Sequence, residues 1–227
     1  MARLVPKLCR RTGRAGGVCM ELSLDNLEWK DAYKLLIGTI VPRPIAFVST
    51  VSQQGVNNLA AFSFFNGVCP KPFIVSFAPM FKDSADPRKD TLRNIQETGQ
   101  FVVNVVTEDI VHQMNETAPE FPSFVDEFEV SGLTPVQSTK VKPARVLESP
   151  VNLECELVQI VNFGYQPGSG SLVLGKVVYA HVHDEIVQHG HIDADRMRAV
   201  GRMAGNDYAR TTDRFALKRP PLPEQYR

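Results

Sequence analysis

Three stretches in the first half of this chain set polar groups on backbone that a ligand could approach closely. The first is Val41-Pro42-Arg43-Pro44-Ile45-Ala46-Phe47-Val48-Ser49-Thr50. Its two prolines fix an extended conformation and lack amide donors, so this edge can face a ligand instead of a neighbouring strand. Arg43 between them is a delocalised cation suited to phosphate or to a ring carbonyl, and Ser49 and Thr50 add hydroxyls at the far end. The second is Asn57-Asn58-Leu59-Ala60-Ala61-Phe62-Ser63-Phe64-Phe65-Asn66. Small residues at 60, 61 and 63 let a flat ring reach the main chain, whose amides could bond its polar edge while the phenylalanines pack around it. The third, Arg88-Lys89-Asp90-Thr91, opens a helix. Free amides, a lysine and a hydroxyl at a helix start form a ready anion site. Taken singly, each stretch reads equally as a buried strand or an ordinary capped helix.

Other chemistry is spelled only superficially. Gly170-Ser171-Leu172-Val173-Leu174-Gly175-Lys176 matches the start of a phosphate-binding loop. Its Leu-Val-Leu interior belongs to a strand, however, and Val177 replaces the Ser or Thr that would hold a metal. His181, His183, His189 and His191 alternate, but no carboxylate or cysteine cluster completes a ligand set. They read as solvated or core-rim histidines, and no metal is expected. Asn115-Glu116-Thr117 is a glycosylation sequon by spelling alone. Neither GxSxG nor HExxH occurs, so no side chain is assigned a catalytic role and a cofactor must carry any chemistry.

The elements that position these groups are mostly strands. Residues 45–51, 59–65, Phe73–Phe77, 101–106, 150–163 and 171–183 are rich in β-branched and apolar residues. They are punctuated by Gln53-Gln54-Gly55, Pro70-Lys71-Pro72 and a glycine-rich turn over 164–170. Leu92 and Ile95 predict a helix over 91–97, capped by Asp90 or Thr91 and closed by Gly99. A second helix is expected over 108–117, with 83–90 a polar loop and 120–134 irregular. Many short strands without strand–helix alternation predict a mainly β, antiparallel barrel or sandwich with peripheral helices.

The 227 residues allow one domain with ragged ends, and 43% apolar with 22% charged residues is the balance of a soluble globular protein. Zero net charge gives no field for nucleic acid, and no run of apolar residues is long enough to span a membrane. Cys9, Cys19, Cys69 and Cys155 stand far apart, which suits a reducing cytoplasm. The Arg-rich, acid-free residues 1–20 read as a disordered or mis-started extension, 21–210 as the domain, and 211–227 as a tail.

Taken together and in order, VPRPIAFVST, NxAxFSFF, a proline-bounded strand, KDTxxNI and FVVNVV resemble the flavin reductase-like family of FMN-binding split barrels, from about residue 31 to about residue 208. The Gly201–Tyr208 segment is similar to that family's closing RxGGxxY-type sequence, with Ala204 in place of one glycine. The resemblance implies a Greek-key split β-barrel that forms a homodimer, with FMN in a groove at the subunit interface. It places Arg43, Pro44, Ile45 and Ala46 along the isoalloxazine, and Ser49 and Thr50 near the ribityl–phosphate end. It puts Ala61, Phe62, Ser63 and Phe64 against the ring, and Lys89, Asp90 and Thr91 at the phosphate. Arg202 and Tyr208 would close the site. Ala61 stands where many relatives have proline, which leaves an extra amide.

A single anion site and no GxGxxG favour FMN over FAD. The implied activity is an NAD(P)H-dependent flavin oxidoreductase whose reduced flavin is released or passes electrons to a downstream acceptor. The alternatives are an FMN-binding electron carrier without NAD(P)H turnover and a non-flavin barrel acting as a binding module.

Overall fold

Alternation along residues 45–48 sets the layering of the molecule. Ile45 and Phe47 enter one buried cluster, with Leu59, Ile110, Met114 and Phe128, while Ala46 and Val48 enter another, with Phe62, Phe77, Leu92, Ile95 and Phe101. Successive side chains of a strand point to opposite faces, so a strand buried on both faces must lie between two apolar layers. Each fully buried phenylalanine contributes on the order of 2–3 kcal/mol of transfer free energy.

The computed structural model describes the chain apart from residues 1–8, 13–17, 26 and 84–85. Its main sheet comprises β1 (Ala46–Val51), β2 (Asn57–Phe62), β3 (Phe65–Pro70), β4 (Phe73–Phe77), β5 (Gln100–Val105), β6 (Val151–Asn162) and β7 (Ser171–Val182). The spatial order is β2-β1-β5-β6-β7-β4-β3, with every neighbouring pair antiparallel. The two edge strands are consecutive in the chain, joined only by Ser63 and Phe64. A sheet whose opposite edges lie two residues apart must roll up, and right-handed strand twist supplies the curl. No ladder joins β2 to β3 among the described residues, so the roll stays open as a split barrel. The mainly β, antiparallel fold with few helices is the one the sequence predicts.

Among the described residues the helices are α1 (Trp29–Thr39), α2 (Asp90–Thr98), α3 (Val111–Glu116), α4 (Glu127–Ser131) and the single turn α5 (Ala194–Met197). α2 starts at Asp90, so its N-cap is Lys89 and not Asp90 or Thr91 as expected, and both of those residues lie inside the first turn; Gly99 closes the helix in the left-handed conformation as expected. The sequence reading misses α1 because this helix has no fully buried residue and so leaves no core stripe to read. It also misses α4, which is too short for periodicity and lies where an irregular segment is expected. There Asp126 accepts from the Phe128 N–H, and Gly132 closes the helix at φ 68°. The single strand expected over 59–65 is broken at Ser63–Phe64, and the chain continues as β3 to Pro70.

Much of the expected disordered extension lies outside the described residues; where it is described, Cys9–Thr12 pairs antiparallel with Val18–Glu21. Among the described residues no helix is long and apolar enough to cross a membrane.

Candidate functional site

Strand β2, the start of α2 and the loop after α3 enclose a cleft of about 270 Å³. Along β2 it is lined by Asn58, Ala60, Ala61 and Phe62, followed by Ser63. β2 is a sheet edge, so its outward amides have no ladder partner. The Leu59 N–H points outward, donating to Glu127 Oε2 at 3.0 Å. By the two-residue period of a strand the Ala61 N–H points the same way, from an exposed residue with a minimal side chain. A planar ligand can therefore reach this backbone.

The other end of the cleft is cationic. Lys82, Lys89, Asp90 and Thr91 line it, and no side chain caps the start of α2. The first-turn amides there present the positive end of the helix dipole. Half-buried Lys89 has its pKa lowered by burial and by Lys82, while Glu120 opposes the shift. A charge held under these conditions gains from an anionic partner. The Asp90 carboxylate is engaged by Arg93, with Lys82 Nζ at 3.9 Å.

Beneath this end runs a buried polar network that the sequence reading does not find. Thr91 Oγ1 donates to Asn58 Oδ1 at 2.7 Å and Thr50 Oγ1 to the same oxygen at 3.2 Å, while Asn94 Nδ2 donates to Thr50 Oγ1 at 3.0 Å. Asn58 Nδ2 in turn donates to Glu127 Oε1 at 3.1 Å. Burial raises the Glu127 pKa against the pull of these hydrogen bonds. Asn58 sits in a stretch the sequence singles out, but Glu127 comes from α4, 68 residues beyond Leu59, and only the Asp126 capping signal hints at it.

Nine of the expected binding residues meet at the cleft: Ile45, Ala61, Phe62, Ser63, Lys89, Asp90, Thr91, Arg202 and Tyr208. Six do not. Arg43, expected along the ring, is 4% exposed. Its Nη1 donates to the carbonyls of Ile37 and Ile40 at 2.8 and 2.7 Å, its Nη2 to Met203 O at 2.9 Å, and its Nε to Ser63 Oγ at 3.3 Å. The guanidinium caps the end of α1, where carbonyls lack helical partners. Ser49 and Thr50, expected at the phosphate end, are buried; Ser49 donates to Ala144 O and Thr50 to Asn58. Ala46 belongs to the core and Pro44 is exposed outside the cleft. Phe64 instead lines a separate apolar groove with Trp29, Leu36, Met80 and Phe163.

The closing segment forms a hairpin of β8 (Val200–Arg202) and β9 (Tyr208–Arg210) that returns to the first stretch, with Arg43 and Arg202 exchanging backbone bonds at 3.0 and 2.8 Å. A Cβ at Gly201 would lie 3.0 Å from Pro42 Cβ, so only glycine allows this approach without displacement. Across the hairpin, the Arg202 guanidinium sits 4.5 Å from the Tyr208 ring centroid.

The histidines stand apart from this site. His181 Nε2 meets buried Glu154 Oε1 at 2.6 Å, and Glu154 also accepts the Thr139 and Lys140 N–H groups. Burial opposes ionisation of Glu154, yet these bonds outweigh it and lower its pKa. No group of three or more potential metal ligands occurs among the described residues.

A family model described as a flavin reductase like domain matches residues 37–200. Among solved structures, nitrilotriacetate monooxygenase component B from Bacillus cereus is similar over 88% of this chain and 100% of that one, at 36% identity and a TM-score of 0.84. The 2-nitrobenzoate 2-nitroreductase of Pseudomonas fluorescens is similar over 89% and 98%, at 32% identity and 0.80. A split-barrel-domain protein from Shewanella frigidimarina, similar over 88% and 96% at 24% identity and 0.72, shares the fold.

Proposed function

The chain belongs to the flavin reductase-like family, and from that premise we propose that it is an FMN-binding oxidoreductase that takes hydride from NAD(P)H. The observation that carries this reading is one cleft with an open strand edge at Ala61 and a cationic helix start at Lys82 and Lys89. Flat, apolar-walled backbone at one end and a single anion site at the other suit a ring bearing one terminal phosphate. Ala60, Ala61 and Phe62 would lie along the ring, with Lys82, Lys89 and the first amides of α2 at the phosphate. Bound flavin would supply the hydride-accepting chemistry, while the residues of this chain bind, orient and shield it.

Component B is by its name one part of a monooxygenase, and that likeness favours an acceptor outside this chain. The apolar groove with exposed Trp29, Leu36 and Phe163 is the face a second copy would cover, giving a homodimer.

The test uses the full chain, reconstituted with FMN and then given NADH or NADPH without oxygen. Stoichiometric uptake of FMN and loss of its yellow absorbance with at least one nucleotide are expected. Failure to take up flavin overturns the proposal; flavin that stays oxidised with both nucleotides identifies an electron carrier instead. Light scattering of the FMN-bound protein is expected to give twice the mass of one chain.

A further inference from the structure

We propose that the cavity between α3 and the β8–β9 hairpin takes the adenosine half of the reducing nucleotide, and that Glu108 makes it a site for NADH and not for NADPH. The proposal rests on the reading that flavin in the cleft is reduced by NAD(P)H, and it adds where the rest of that nucleotide lies.

The cleft measures about 270 Å³, below the range of about 300–1,000 Å³ usual for a pocket that encloses one drug-sized ligand. With flavin in place it cannot also enclose a whole dinucleotide. A second cavity of about 580 Å³ adjoins it, and Asn115, Arg202 and Tyr208 line both. Val111, Val200 and Ala209 give the second cavity an apolar wall. His112 and Asn206 are exposed at its edge, and neither side chain makes a hydrogen bond among the described residues. A purine suits such a lining, with its face on the apolar wall and its edge on the polar groups.

Charge divides the path in two. Arg202, at the boundary, has its guanidinium on Tyr208 and on Gly205 O, with no carboxylate within ion-pairing distance among the described residues. Its charge is open to the pyrophosphate that links the halves of a dinucleotide. Beyond Arg202 the cations are already matched. Arg210 Nε donates to Glu108 Oε2 at 3.0 Å. Arg198 Nη2 donates to the same oxygen at 3.3 Å, and its Nη1 to Asp109 Oδ1 at 3.1 Å. Two guanidinium groups balance two carboxylates, which leaves no net positive charge for a further phosphate.

Glu108 lines the cavity and decides which ribose it admits. Both arginines bond Oε2, and Oε1 has no hydrogen-bond partner among the described residues. The hydrogen bonds from Arg210 and Arg198 hold the carboxyl below the usual carboxylate range, so Oε1 can only accept. The 2′-hydroxyl of the adenosine ribose can donate to it. A 2′-phosphate there would set two anionic groups oxygen against oxygen. Dinucleotide sites on an unrelated fold use a carboxylate to the same end.

The test mixes FMN-loaded, full-length protein with NADH or NADPH without oxygen and follows loss of the oxidised flavin absorbance against nucleotide concentration. The wild type is expected to favour NADH at least about tenfold in kcat/KM, chiefly through KM. Glu108→Gln keeps the side-chain shape without the charge, and should lower that preference about tenfold. Ala209→Phe fills the cavity and should raise the KM for NADH about tenfold, with FMN affinity changed by no more than about twofold. Equal use of both nucleotides by the wild type, or a preference for NADPH, overturns the proposal. So does an unchanged preference in a folded Glu108→Gln protein, or an unchanged KM in folded Ala209→Phe. Should either variant not fold, the wild-type preference and the other variant decide. Flavin left oxidised by both nucleotides means that the NAD(P)H reading has failed and the proposal with it, whereas reduction by both without discrimination sinks the proposal alone.

Discussion

Arg43 and Lys89 are cations in two segments that both read, from residue type and neighbours, as facing an anionic ligand. The fold treats them in opposite ways. Arg43 lies almost wholly buried with every nitrogen on a protein oxygen, three of them main-chain carbonyls. Lys89 stays half-buried at an uncapped helix start, in the cleft, with no carboxylate within ion-pairing distance among the described residues. Whether a side chain serves the fold or a ligand depends on whether the fold leaves orphaned groups within its reach. α1 ends beside Arg43 and offers carbonyls; α2 begins beside Lys89 and offers amides, which a lysine cannot satisfy.

The largest effect that could break this contrast is in Arg43→Ala. Truncation leaves the carbonyls of Ile37, Ile40 and Met203 without their donor, at a cost of about 3 kcal/mol. For a chain of this size that lowers Tm by roughly 6–12 °C, to be read by thermal unfolding of the ligand-free protein. An unchanged Tm with abolished FMN binding would make Arg43 the ligand residue that its sequence context suggests.

Lys89→Ala should behave in the reverse manner. Loss of a charge-assisted bond worth about 1.5–3 kcal/mol weakens FMN by about ten- to hundredfold. Riboflavin, which has no phosphate, should change little, and the ligand-free Tm should stay within about 2 °C. Parallel losses for the two ligands would remove Lys89 from the phosphate site.

The same contrast explains what could be read without the structure. Strand-forming residues with alternating burial, as at 45–48, and the Leu92–Ile95 helix closed by Gly99 are local signals, and they placed the sheet and α2. Ala61 and Lys89 reach the cleft where the sequence puts them because a sheet edge and a helix start are local features, whereas Thr91, beside them in the sequence, is buried with its hydroxyl on Asn58. Arg43 could not be placed, because its partners lie on α1, a helix with no fully buried residue and hence no stripe, and on Met203, 160 residues away. Ser49 fails for a similar reason: its acceptor, Ala144 O, belongs to a distant loop. Glu127 was missed because a five-residue helix has no period, and its role exists only where α4 meets β2. Non-local hydrogen bonds decide which polar groups remain free, and one sequence does not print them.

The smallest effect tests a residue between the two extremes. Arg202 lines the cleft, yet its backbone is paired to Arg43 and its guanidinium rests on Tyr208 and donates to Gly205 O. It is therefore held by the fold while still facing the cleft. A cation over an aromatic face at a partly exposed site is worth about 0.5–1 kcal/mol. Tyr208→Leu removes the ring but keeps an apolar side chain opposite Arg202 in the hairpin. FMN affinity should fall about two- to fivefold, with Tm lowered by no more than about 4 °C. Tyr208→Phe keeps the ring face and should stay close to wild type in both measurements. A Tyr208→Phe protein as impaired as Tyr208→Leu would mean that the phenol hydroxyl itself meets the ligand, and Tyr208 would then join Lys89 on the ligand's side of the comparison.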